Sequence, residues 1–344
     1  MSLISFLSSR LSPREPQTQP PQNHTTTGIR YPHILRRATT HWWKGPAAIA
    51  TTLGGAILAV AAVRFSLPAL GTAEPNGTPT PAAAAALNLA LASLIPISIG
   101  AVAAVYRISG GYLHSISGRM RWKWLATGLA TTVPIWIVGN LAETIVTGES
   151  TFSPAKAWAL QVALTLILTP LQAAGEEYIV RGLLVTTISS YFSNAKVGFC
   201  IAGAISTFVF TALHGSSHPW VVANLVGMSI MALYLVWHTG GIEAAIAIHV
   251  ANNLSLILIS IFTNTVGKGQ ITAETQVSFW STFYALALLA LGTFLLRRFF
   301  DREGLSATTQ SEPEPGSAIA ATAETAPENT TKTTPASDSD STHT

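Results

Sequence analysis

Long apolar runs separated by short polar stretches fill the chain from about residue 46 to residue 296. They fall at about 46 to 66, 83 to 106, 124 to 146, 155 to 188, 197 to 214, 219 to 237, 242 to 263 and 278 to 296. Each is near or above the roughly 17 to 25 residues that a tilted helix needs to cross about 30 Å of hydrocarbon. The pattern predicts an all-α polytopic membrane protein with about eight transmembrane helices. The fourth run is unusual: as one helix over 155 to 192 it would be roughly 57 Å long at 1.5 Å per residue. That is too long for one crossing and too short for two, so it must protrude, tilt or break, with Pro170 and Gly175 as break points.

Composition supports this class, with 49% hydrophobic and 10% charged residues and a mean hydropathy of +0.40 over 344 residues. The single cysteine, Cys200, lies in an apolar run, which excludes an intramolecular disulfide framework and a cysteine-based zinc site. A net charge of +3, with basic residues at segment ends rather than in a patch, leaves nucleic-acid binding without support. Arg107, Arg119, Arg121 and Lys123 crowd the second loop, and Arg297 and Arg298 close the last segment. The first loop offers only Arg64 and Glu74, and the third only Glu149 and Lys156. The expected location is the plasma (inner) membrane; by the positive-inside bias both termini are cytoplasmic, and eight crossings give the same parity. Trp42, Trp43, Trp122, Trp124, Trp220 and Trp237 fall at segment ends, as interfacial anchors do.

Four regions are expected: a disordered basic cytoplasmic arm over 1–45, two amino-terminal helices and their loops over 46–119, a core over 120–298, and a disordered Thr/Ser/Glu-rich tail over 299–344. Gly71 to Pro81 reads as a further loop.

Ionisable residues inside apolar runs stand out. Gly175-Glu176-Glu177-Tyr178-Ile179-Val180-Arg181 places three of them in the fourth run. Each costs roughly 2.5 to 3.5 kcal/mol at bilayer depth on insertion scales, so such residues face a protein interior or a water-filled cavity and carry function. Glu177 and Arg181 are four apart and share a helix face, whereas Glu176 points about 100° away. A helix-stabilising ion pair accounts for the first two and leaves Glu176 unexplained. His214 ends the fifth run; taken alone it reads as an interfacial residue. Counting from a turn near Ala195, however, Glu176 and His214 reach a similar depth on antiparallel helices, where an acid and an imidazole can hold and deprotonate a water. In the seventh run His249 and Asn253 project from one face and can meet a developing oxyanion. His249 lies only about 12 Å into its helix, so the fourth segment must extend beyond the membrane surface for these groups to converge. Asn252 points elsewhere and reads as a helix–helix hydrogen-bonding residue, while His218, His238 and Glu243 read as solvated or interfacial.

Glu176-Glu177-x-x-x-Arg181, Phe210-x-x-x-His214 and His249-x-x-x-Asn253, in that order and each in an apolar segment, resemble the motifs of the CPBP intramembrane proteases, also called the ABI family. That family includes eukaryotic CAAX prenyl endopeptidases and bacterial enzymes linked to bacteriocin processing and self-immunity. The resemblance covers roughly residues 120 to 265. It implies that Glu176, with His214, activates the attacking water, and that His249 and Asn253 stabilise the oxyanion. It also implies a supporting Glu177–Arg181 pair, a packing role for Phe210, and a membrane-associated protein or peptide as substrate. No cofactor is implied under a glutamate-dependent mechanism, although Glu176, His214 and His249 would suffice as ligands for a catalytic zinc. The chain has no H-E-x-x-H, no G-x-S-G of the rhomboid type and no G-x-G-D of the presenilin type. Two other readings stay open from the residues: a proton-coupled transporter, since buried Glu, His and Arg also form proton relays, and a non-catalytic scaffold or immunity protein.

Overall fold

The computed structural model describes residues 28–38, 41–70, 80–148, 151–266 and 275–309, with only the backbone described at 67–70. The rest of the basic arm, most of the Gly71 to Pro81 loop and most of the acidic tail lie outside the described residues. Eight helices are long and apolar enough to cross a membrane, which makes the protein an all-α integral membrane protein. They are α1 (Lys44–Leu70), α2 (Pro81–Tyr106), α3 (Trp122–Thr147), α4 (Trp158–Ser189), α5 (Ala195–Leu213), α6 (Pro219–Thr239), α7 (Glu243–Phe262) and α8 (Phe279–Glu303). Among the described residues there are no strands, only isolated bridges at Arg30–Thr308 and Ser115–Gly241.

Burial ranks the helices. In α7, 61% of the apolar window is buried against 11% in α1, so α7 is the axis of the bundle and α1 its lipid-facing edge. α7 packs mainly on α3 and α4, α6 on α8, and α1 on α2. Small residues bring the central pair together: a Cβ built on Gly128 of α3 would stand 2.9 Å from the Ala247 Cβ of α7.

The fourth run does not break at Pro170 or Gly175. α4 continues through both and overshoots instead, and Gly175 serves a contact: a Cβ there would lie 2.1 Å from the Leu91 carbonyl oxygen. That carbonyl belongs to the last turn before α2 is interrupted at Ser93. α4 leaves α geometry further on, where Tyr178–Leu184 is π-helical.

One end of the bundle carries a collar built from segments outside the hydrocarbon. The stretch expected to be disordered up to residue 45 is ordered from 28 onward within the described residues. Tyr31–Arg37 forms a 3₁₀ helix whose Tyr31, Ile34 and Leu35 are fully buried, and the Tyr31 hydroxyl donates to the Leu113 carbonyl at 2.6 Å. The tail is likewise ordered to Thr309, whose backbone N–H donates to the Ile29 carbonyl. A few apolar side chains and backbone pairing therefore outweigh the polar composition of both segments.

Glu243, expected to be solvated, is fully buried. Its two carboxylate oxygens accept from Arg121 Nε at 2.8 Å and Nη2 at 2.7 Å, and the Arg121 backbone N–H adds a third bond. Arg121 Nη1 reaches the Thr239 carbonyl, so one guanidinium ties the start of α3 to the α6–α7 turn. Glu243 also sits in the first turn of α7, where the helix dipole favours a negative charge.

Removing one partner of a buried ion pair leaves the other charge uncompensated. Glu243→Ala should therefore destabilise the detergent-solubilised protein by about 3 to 5 kcal/mol. Thermal unfolding reads this directly, and an unchanged midpoint would show that the Arg121 contact carries no net weight.

Candidate active site

Four helices converge on the Glu176–Arg181 stretch. Glu177 Oε1 accepts from Arg181 Nη1 at 2.9 Å, and both side chains are fully buried. Arg181 Nη2 donates to Ser229 Oγ of α6 at 2.6 Å, and the guanidinium carbon lies 4.3 Å from the centre of the Phe210 ring on α5. Glu177 Oε1 also accepts from His249 Nδ1 of α7 at 2.7 Å. Because a carboxylate only accepts, His249 must carry a proton on Nδ1, and its Nε2 is turned toward Glu176 Oε2 at 3.6 Å. Phe210 packs edge-on against the same imidazole, at 5.8 Å between centroids.

Glu176 keeps 20% of its side chain exposed, unlike its neighbour. Its Oε1 accepts from Gln172 Nε2 at 2.5 Å, one turn earlier on α4. Gln172 Oε1 accepts from Asn253 Nδ2 at 3.4 Å, and Asn253 Oδ1 accepts from Asn252 Nδ2 at 3.1 Å. Asn252 thus bonds its own neighbour rather than another helix.

In the register of α4 and α5, His214 stands one turn beyond the level of Glu176. Ser206 Oγ donates to the Val180 carbonyl at 2.7 Å and fixes the antiparallel register of α4 and α5. Stepping four residues along each helix brings Phe210 level with Glu176, and His214 level with Gln172, about 6 Å further along. The level match expected from a turn near Ala195 fails because the turn is centred earlier: α4 ends at Ser189 and α5 starts at Ala195. His214 Nδ1 donates to the Phe210 carbonyl at 2.7 Å, which in the neutral ring leaves Nε2 as a lone-pair acceptor.

Depth along α4 and α7 agrees with the need for α4 to protrude. His249 follows Glu243 by six residues, about 9 Å of helix, while Ser189 follows Glu177 by twelve residues, seven of them π-helical. The excess of α4 is the part packed against the 3₁₀ helix of the collar, and Thr186, Thr187 and Ser189 are buried there. Tyr178, the first residue of the π-helical stretch, hydrogen-bonds His114 of the collar.

A zinc ion on Glu176, His214 and His249 does not fit this arrangement. Among the described residues no three His, Cys, Asp or Glu side chains are grouped as metal ligands. A cavity of about 1030 Å³ lies between α5 and α6, lined by Phe199, Gly203, Phe208 and Val226, with Thr211, Ala212 and Ser216 on its wall beside His214.

The sequence pointed to Glu176, Glu177, Arg181, Phe210, His214, His249 and Asn253, and overlooked Gln172, Ser229, His114 and Tyr178. Gln172 had a readable signal, a lone amide four residues before Glu176 in an apolar run. Ser229 had none, since a single serine in a membrane helix carries no distinguishing pattern.

Residues 157–255 match the family model described as type II CAAX prenyl endopeptidase Rce1-like. The matched stretch contains all seven residues that the sequence singled out, and it is the same family group that their order resembles. The chain is also similar to a protein of Bacillus subtilis (strain 168) described as uncharacterized protein YyaK. The two are 24% identical over 186 residues, covering 50% of this chain and 60% of that protein. No solved structure matches the chain.

Burial holds the His114 imidazole below its ordinary value of 6.5, with the Glu243 carboxylate pulling the other way. His33 in the collar is lowered as well, by burial and by Arg36. A group whose folded value is depressed contributes stability above its unfolded value and loses it as pH falls through the folded value. Thermal stability should thus decline as pH drops below about 6.5, and the decline should shrink in a His33→Gln/His114→Gln protein. Equal declines in the two proteins would assign the effect to other groups.

Proposed function

We propose that the protein is an intramembrane endopeptidase of the CAAX-protease type, hydrolysing a peptide bond in a membrane-associated protein or peptide without a metal. The observation that carries this reading is the contrast between two adjacent carboxylates. Glu177 is sealed and neutralised by Arg181, while Glu176 is partly exposed and beside an imidazole. One carboxylate holds the scaffold and the other is free to exchange a proton.

In this mechanism Glu176 takes a proton from a water as its oxygen attacks the scissile carbonyl carbon. His214 Nε2, the free acceptor of that ring, can receive the second hydrogen bond of the water. With a proton on each nitrogen, His249 donates Nδ1–H to Glu177 and presents Nε2–H to the oxyanion, and Asn253 supplies its second amide N–H beside it. Collapse of the tetrahedral intermediate breaks the C–N bond, and protonated Glu176 returns its proton to the leaving amine. Glu177 and Arg181 touch no reacting atom; they orient His249.

The orientation proposed with this function puts the collar in the cytoplasm. Arg30, Arg36, Lys44, Arg107, Arg119, Lys123 and Lys196 all lie at that end of the bundle, as the positive-inside bias requires. The description of the matched family makes a farnesylated CAAX-type peptide the first substrate to try.

Purified protein in liposomes should cleave a quenched fluorescent peptide of this kind or, failing that, a transmembrane peptide. Glu176→Gln should lower kcat by about 100-fold or more, the range lost with a general base. Turnover by Glu176→Gln at the wild-type rate would sink the mechanism, and chelator inactivation reversed by zinc would overturn its metal-free form.

A further inference from the structure

We infer that Gln172 is a positioning residue, the amide that holds the water-activating carboxylate of Glu176 and the oxyanion donor Asn253 in a fixed relation. The inference rests on the peptidase reading above and assigns a part in it to a residue outside all three family-like motifs.

Chemistry fixes the direction of every bond in this group. An ionised carboxylate can only accept, so the Gln172 amide must turn its nitrogen to Glu176, where the contact is 2.5 Å. Its oxygen then faces α7 and can only accept, so Asn253 must turn its nitrogen toward Gln172. The Asn253 oxygen in turn receives the Asn252 amide. Three amides thus point head to tail at one carboxylate, and bonds in such a chain polarise one another. Asn253 spends one of its two N–H groups on Gln172, which fixes its amide plane and leaves the other N–H for the substrate.

Location makes the bridge consequential. Gln172 is buried on α4, with the Thr169 hydroxyl also buried one turn away, so little water competes for its amide. Without the bridge, the partly exposed Glu176 side chain loses its only side-chain donor on α4, and the Asn253 amide is free to rotate. Both errors fall on the transition state, where misplacement is most costly, rather than on ground-state binding.

The test uses full-length protein in liposomes with the peptide that the wild type cleaves. Gln172→Met fills the same space and removes both bonds; Gln172→Glu keeps the acceptor for Asn253 and removes the donor to Glu176. Both should lower kcat by about tenfold or more per folded molecule while KM stays within about twofold. Asn253→Ala should cost less in the Gln172→Met background than in the wild type, because the two act as a unit. A kcat within about twofold of wild type in both variants overturns the inference, as does a loss that appears wholly in KM or in the yield of folded protein. Glu176→Gln separates the two levels: if it stays active the peptidase mechanism itself fails, and if it is dead while both Gln172 variants are normal only the bridge fails.

Discussion

A carboxylate and a guanidinium four residues apart, both closed off from solvent, set the terms for the rest of this structure. Neither Glu177 nor Arg181 could stay charged at this depth alone, and breaking a buried pair by removing one member is far more costly than never having had it. The pair therefore draws on its surroundings for partners, and three other helices supply them, leaving Glu177 Oε2 and Arg181 Nε as buried atoms without a hydrogen bond among the described residues. α5 offers the Phe210 face, α6 the Ser229 hydroxyl and α7 the His249 imidazole. Since lipid supplies no hydrophobic force between helices, polar contacts of this kind help to fix which helices meet and at what depth.

The same arrangement divides labour between adjacent residues. Successive positions on a helix differ by about 100°, so Glu177 faces the buried junction and Glu176 the space beside it. One helical step separates a carboxylate whose charge is spent on architecture from one whose charge is available. The collar extends the division along α4, whose far end is anchored by Tyr31, Ile34 and Leu35 while its middle carries the ionisable stretch. Tyr178 and His114 join the two regions at the point where the helix departs from α geometry.

Much of this was legible in the sequence, for physical reasons. A hydrocarbon solvent imposes length and hydropathy on every crossing, so the eight helices stand within a few residues of the apolar runs. Glu177 and Arg181 announce their contact by spacing alone. Relations between helices were harder to read. His214 is displaced by one turn because a shift of two residues in the centre of the α4–α5 turn moves the partner by four. The order of residues 28–38 was hidden because Tyr31, Ile34 and Leu35 are too few to outweigh their basic neighbours in composition, yet they are the residues that bury. The depth of Glu243 was hidden because its partner, Arg121, is 122 residues away.

The π-helical stretch that begins just after the two glutamates and contains Arg181 has an angular consequence. A π turn takes up more residues than an α turn for the same rotation, so each such turn offsets the side chains beyond it by part of a revolution. Glu177 before the stretch and Thr186, Thr187 and Ser189 after it are all buried, against different neighbours. α4 therefore works like a shaft with a keyed joint, in which the angle of the collar face is set relative to the angle of the glutamates. Shortening that joint by a single residue would leave both ends individually intact and turn them out of phase.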